Sequence, residues 1–167
     1  RWGRNRGRHE GGGVIRNLRE RLIFASEGQV GDLIDSLASK DERLWPNSEW
    51  PPMRFDRPLA VGAVGGHGPV RYVVSGYAPG RKIEFDFTSP AGFRGSHAFE
   101  AVPQSADQTL LRHELRMSVS GTATFTWALF FRPLHDALIE ESFDRAEREC
   151  GGAPARAYQR SAWVKLL

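Results

Sequence analysis

A single cysteine, Cys150, stands in 167 residues. No disulfide can form within the chain, and the expected compartment is the cytosol. Methionine is scarce, with two residues. No run of eighteen apolar residues exists, so no membrane-spanning helix is expected. The first residues, RWGRNRGRHEGGG, lack the apolar stretch of a secretory signal. GxSxG, Walker, Rossmann and zinc-ligand patterns are all absent, which removes the usual sequence signs of hydrolase, nucleotide and metal chemistry. No internal repeat is visible.

The balance of 40% hydrophobic and 26% charged residues suits one globular domain. The net charge of +3 is unevenly placed. Arg1, Arg4, Arg6, Arg8, Arg16, Arg19 and Arg21 face only Glu10 and Glu20 in the first 21 residues, so the remainder is net negative. Residues 1–13 read as a dispensable Arg/Gly-rich arm. Without regular aromatic interleaving, the arm points to a solvated tail and not to nucleic-acid binding.

Residues 14–25 (VIRNLRERLIFA) read as a strand with Leu18, Leu22 and Phe24 on one face. A helix is the competing assignment there, since Val14, Leu18 and Leu22 are also four apart. Residues 29–38 predict a short helix, and 41–45 a second helical turn stopped by Pro46. Trp45 and Trp50 are expected to cover one end of the core. GGHGP at 65–69 has neither the Lys-Ser/Thr nor the following helix of a phosphate loop, so it reads as a hairpin turn. KIEFDF (82–87) then alternates, with Ile83, Phe85 and Phe87 inward. Strands follow at 93–103 and 109–119, the latter with Leu111, His113, Leu115, Met117 and Val119 on one face. A hairpin turn at 104–108 places His113 opposite Phe99 and His97 on the diagonal.

Residues 121–150 form the one long segment of helical period. Trp127, Phe131, Leu134 and Leu138 make its apolar stripe, and Asp136, Glu140, Glu141, Asp144, Glu147 and Arg148 lie opposite. Pro133 should kink or break the helix near Leu129–Phe130. Residues 151–167 read as an extension with one more short helix around Tyr158, Trp163 and Leu166. The expected architecture is α+β: a curved antiparallel sheet of about seven strands, in the order β-α-α-β6-α, wrapped around the long helix.

That pattern resembles the START-like, helix-grip superfamily of lipid-transfer domains, pollen-allergen-like proteins and polyketide cyclases and dehydrases. The resemblance is carried by LAVGAVGGHGPVRYVVSGYAPGRKIEFDF (59–87) and RPLHDALIEESFDRAE (132–147), and covers residues 14–150. It implies a cavity between sheet and helix, and no shared catalytic signature.

His97 and His113 are the polar residues most out of place on an inward face. They would meet an oxygen of a bound ligand, or act as acid and base. Tyr72, Phe85, Phe87, Phe99, Leu115, Met117, Trp127 and Phe131 would supply the apolar wall. His135 with Glu140 or Glu141 has spacings of five and six, wrong for ligands on one helix, so no metal is expected. No cofactor is expected either. Cys150 sits at a helix C-terminus, where the dipole disfavours thiolate, and reads as inert. Binding of a hydrophobic small molecule as carrier or sensor is the leading expectation. A cyclase- or dehydratase-type enzyme and a protein-interaction module are the alternatives. The sequence leaves the oligomeric state open.

Overall fold

Alternation of apolar and polar side chains builds seven strands into one antiparallel sheet. In the computed structural model, which describes residues 14–154 and 157–167, these are β1 (Val14–Ile23), β2 (Arg54–Phe55), β3 (Val64–His67), β4 (Val70–Ala78), β5 (Lys82–Ser89), β6 (Phe93–Pro103) and β7 (Thr109–Val119). Their spatial order is β1-β7-β6-β5-β4-β3-β2. The arm expected over residues 1–13 lies outside the described residues. The β6–β7 register sets Phe99 opposite His113 and His97 opposite Leu115, as the hairpin spacing predicts. The fold is the expected α+β arrangement. The long C-terminal helix lays Leu138, Ile139, Phe143 and Ala146 into one core with Phe85, Phe99 and Leu111 of the sheet.

That helix is built in three pieces: α2 (Ala123–Thr126), a π-helical turn (Trp127–Phe131) and α3 (Arg132–Glu149). The earlier helix α1 spans Glu27–Asp35, and a last one, α4, spans Ala162–Leu166. Pro133 explains the π turn. Proline has no N–H for the ladder, and the wider turn just before it carries the chain past the gap, with Arg132 N–H donating to Trp127 O five residues back. The hydrogen-bond ladder changes at the expected place, to a π turn and without a break.

Ser26 caps α1 through a reciprocal bond with Gln29, so the helix begins two residues earlier than its apolar pattern suggests. Gly31 lets α1 touch the β4–β5 turn. A Cβ there would lie 2.0 Å from the Gly80 carbonyl oxygen, which is backbone and cannot swing aside. Gly31→Ala should therefore destabilise the domain by about 1–3 kcal/mol or more, despite alanine's better helix propensity. Urea unfolding checks this, and an unchanged midpoint would contradict it.

One expectation needs correction. No second helix forms at 41–45. The chain loops around Glu42, whose carboxylate accepts the backbone N–H groups of Ala38, Leu44 and Trp45 at 2.6, 2.8 and 2.8 Å. A buried carboxylate that satisfies these donors replaces the helical ladder.

β1 is the expected strand, and Leu18, Leu22 and Phe24 share a face, which is the outward one, at 39%, 36% and 73% exposure. Pairing with β7 sets Arg19 opposite His113 and Arg21 opposite Leu111, so the arginines share the inward face. They are held there by the acidic side of α3, which packs on β1. Arg19 contacts Asp136 and Glu140, both at 2.8 Å, and Arg21 contacts Glu140, Asp144 and Glu147 at 2.8, 3.1 and 2.8 Å. Apolar alternation at an edge strand was outweighed by this ionic match. Among the described residues, no helix is long and apolar enough to cross a membrane.

Candidate functional site

A cavity of about 430 Å³ lies between the inner face of the sheet and the helix, with Trp50, Pro51 and the C-terminal segment at its mouth. Of the ten side chains expected to form a ligand site, Phe87, His97, Leu115, Trp127 and Phe131 line it. The other five are buried beside or behind that lining. Tyr72 stands edge-on to His97 with ring centroids 5.1 Å apart, and Phe85 packs on both rings at 4.9 and 5.0 Å. Phe99 supports His113 at 4.6 Å. Met117 packs with Trp127 and Leu115 in a second apolar cluster.

His113 sits behind His97, its Nε2 3.3 Å from His97 Nδ1. His135 follows, with its ring centroid 5.0 Å from that of His113. His67 lines the same cavity from β3 and stacks obliquely on Trp45 at 4.7 Å. Four histidines thus gather where the sequence suggested two. His67 was hidden because the glycines around it erase the alternation of a strand. His135 had a usable signal: Trp127, Phe131 and His135 are spaced by four, which puts them on one helix face. Phe93, Leu134 and Leu138 also line the cavity, and Leu134 and Leu138 belong to the predicted helical stripe.

Burial dominates the electrostatics. It drives the His67 proton affinity down to a pKa of about 4, aided by the fields of His135 and Arg71. Burial, then the His135 field, holds His97 and His113 well below the ordinary imidazole range. Burial also pushes the Tyr72 phenol up. Among the described residues, the Tyr72 hydroxyl, His97 Nε2, His113 Nδ1 and His135 Nε2 are buried without a hydrogen-bond partner. Unpaired buried polar atoms are costly and rare.

No group of His, Cys, Asp or Glu among the described residues is arranged to hold a metal ion. His135 Nδ1 is 3.3 Å from Asp136 Oδ1, while Glu141 is taken by Arg160 and Trp50. The Cys150 thiol is pushed up by burial and is not an activated nucleophile. GGHGP runs through β3 into a hairpin, not into a helix N-terminus.

Arg160 closes part of the mouth. It bonds Glu141 at 2.5 and 2.7 Å, lies 3.6 Å from Glu49 and stacks on the Trp50 ring at 4.9 Å. Beyond it runs an open polar groove of about 770 Å³ along Asn47, Arg145 and Arg148. Arg145 is already spent there on the carbonyls of Glu42 and Trp45.

No protein-family model matches the chain, and no curated protein matches its sequence. Solved structures do share its fold. A conserved protein of unknown function from Enterococcus faecalis matches at 17% identity and a TM-score of 0.58, over 92% of this chain and 80% of that one. Norcoclaurine synthase from Thalictrum flavum matches at 11% identity and a TM-score of 0.63, over 83% of this chain and 97% of that one. The di-domain ARO/CYC BexL of the BE-7585A biosynthetic pathway matches at 16% identity and a TM-score of 0.61, over 84% of this chain and 51% of that one. The chain therefore has the START-like helix-grip fold, and at these identities the likeness concerns fold alone.

Proposed function

We propose that the protein binds a hydrophobic small molecule bearing at least one oxygen, a lipid or an aromatic, polyketide-like compound, in the cavity between sheet and helix. It acts as carrier or sensor. The observation that carries this reading is His97: it lines the cavity beside Phe87, Phe93, Leu115 and Phe131, yet its buried Nε2 has no partner among the described residues. The volume suits a small organic ligand. Norcoclaurine synthase, with the same fold, has been solved in complex with dopamine and hydroxybenzaldehyde, and the di-domain ARO/CYC StfQ comes from the steffimycin biosynthetic pathway, which agrees with this use of the cavity.

An acid–base enzyme of cyclase or dehydratase type is the second reading, favoured by His67, His97 and His135 converging on one cavity. Binding ranks first because burial keeps His67 and His97 neutral at pH 7, so they form hydrogen bonds but are poor proton donors.

A thermal-shift screen of fatty acids, sterols, flavonoids and aromatic polyketides should give hits. A ligand at a hundredfold excess over Kd stabilises the fold by about 2.7 kcal/mol. His97→Phe should weaken an oxygen-bearing hit about tenfold and leave a pure hydrocarbon unaffected. No hit across the panel would refute the binding reading. Conversion and release of a hit, abolished by His97→Phe, would favour the enzyme.

A further inference from the structure

The two edges of the sheet are unlike. At one end, β2 has two residues, too short to template another strand. At the other end lies β1, ten residues long and without Pro, Gly or Lys. No backbone group among the described residues pairs with its free side. Inward charges such as Arg19 and Arg21 often guard an edge, but here the carboxylates of α3 already meet them. The outward face, on the side of the sheet away from α3, is exposed at Val14, Arg16, Leu18, Glu20 and Leu22.

That series matches itself when reversed. About a two-fold axis through Leu18, an antiparallel copy sets Val14 opposite Leu22, Arg16 opposite Glu20, and Leu18 opposite Leu18. Moving the axis by one residue sets Leu18 against Arg16 or against Glu20. Moving it by two sets Arg16 or Glu20 against itself. Only the axis at Leu18 joins apolar to apolar and cation to carboxylate throughout.

The charges on this face are also unbalanced within one chain. Arg16 and Arg116 share the single carboxylate of Glu114, at 2.6 and 2.7 Å. Glu20 and Glu100 share the single guanidinium of Arg112, at 2.7 and 3.4 Å. Positive charge is therefore in surplus around Arg16, and negative charge around Glu20. A reversed copy brings each surplus to its opposite.

We infer that β1 pairs antiparallel with β1 of a second copy of this chain, about a two-fold axis at Leu18, and joins two seven-stranded sheets into one. The free main-chain groups of the edge supply the attraction, and the outward side chains fix the register.

The test is sedimentation velocity of the full chain across a wide range of concentration. The wild type should reach twice the mass of one chain. Arg16→Glu and Glu20→Arg each set like charges opposite one another on both sides of the axis, and each should weaken the dimer about tenfold. An equimolar mixture of these two variants should regain the wild-type affinity, because every contact in the mixed dimer again joins a cation to a carboxylate. Leu18→Lys, which brings two ammonium groups together on the axis, should leave a monomer. Circular dichroism establishes that the variants fold. A wild type that stays monomeric at every concentration overturns the inference, whatever the variants do. A dimer that none of these substitutions weakens overturns it too, because it would use another surface. Single variants that dissociate and are not restored by mixing overturn the register, and with it the pairing at Leu18.

Discussion

Glu42→Ala is expected to lower stability by about 3 kcal/mol or more, because it strands three backbone donors. The N–H groups of Leu44 and Trp45 share Oε1, and that of Ala38 has Oε2. Leu44 and Trp45 are 0% and 1% exposed, so water cannot replace the carboxylate without opening the loop. The damage should spread to the cavity, since Trp45 carries His67 on its ring and donates its indole N–H to the Pro51 carbonyl at 3.0 Å. Glu42→Gln should lose less, because an amide oxygen still serves Leu44 and Trp45. Urea unfolding of both variants gives the comparison, and equal losses would mean the charge, not the acceptor geometry, holds the loop.

The pH dependence has a definite sign. Burial raises the Glu42 pKa, and the backbone donors offset only part of that rise. The folded state therefore binds the proton more readily than the unfolded one. This group's contribution is complete below the usual carboxylate range and declines as pH rises through the raised folded value. Glu42→Gln should remove that decline.

Glu42 also shows where sequence legibility ends. The strands from β4 to β7 are local in pattern: Ile83 and Phe85 alternate with charged neighbours, and the hairpin register follows from turn length. The helix follows from its apolar stripe, and the effect of Pro133 from its missing N–H. Other features depend on partners far away in sequence. The loop at 41–45 needs a buried carboxylate to accept its amides, which no periodicity reports. The inward face of β1 depends on α3, 119 to 126 residues away in the Asn17 and Arg21 contacts. Judged alone, LxxxL is the apolar face of that strand. Judged with the acids of α3, the arginines are the inward face. The site was legible to the same extent. His97 and His113 were visible as imidazoles among aliphatic neighbours on clean strands, whereas His67 sits among glycines and His135 beside charges that disguise its face.

Arg21→Met should cost about 3–5 kcal/mol, because it leaves three carboxylates of α3 facing the sheet without their shared cation. Arg21 bonds Glu140, Asp144 and Glu147 with two nitrogens, and its guanidinium lies 5.9 Å from the centre of the Phe143 ring. The Asp144 side chain is 4% exposed, so its charge is poorly served by water. Burial works against the Arg21 charge, and the contacts with Glu140, Asp144 and Glu147 outweigh it, raising its proton affinity further. Arg21→Lys should be intermediate, since one ammonium cannot span three carboxylates as a planar guanidinium does. Asp144→Asn in the Arg21→Met background should recover part of the loss, which a purely steric account of Arg21 does not predict. Acid adds a second readout at the neighbouring contact. Burial pulls the Asp136 pKa up, but the bonds from His135 and Asn17 and the field of Arg19 hold it below the usual range. That contribution is present above the usual carboxylate range and is lost as pH falls through the lowered folded value. Arg19→Met should therefore flatten the acid limb of the stability profile, and an unchanged acid limb would show that the contact between β1 and α3 does not depend on charge.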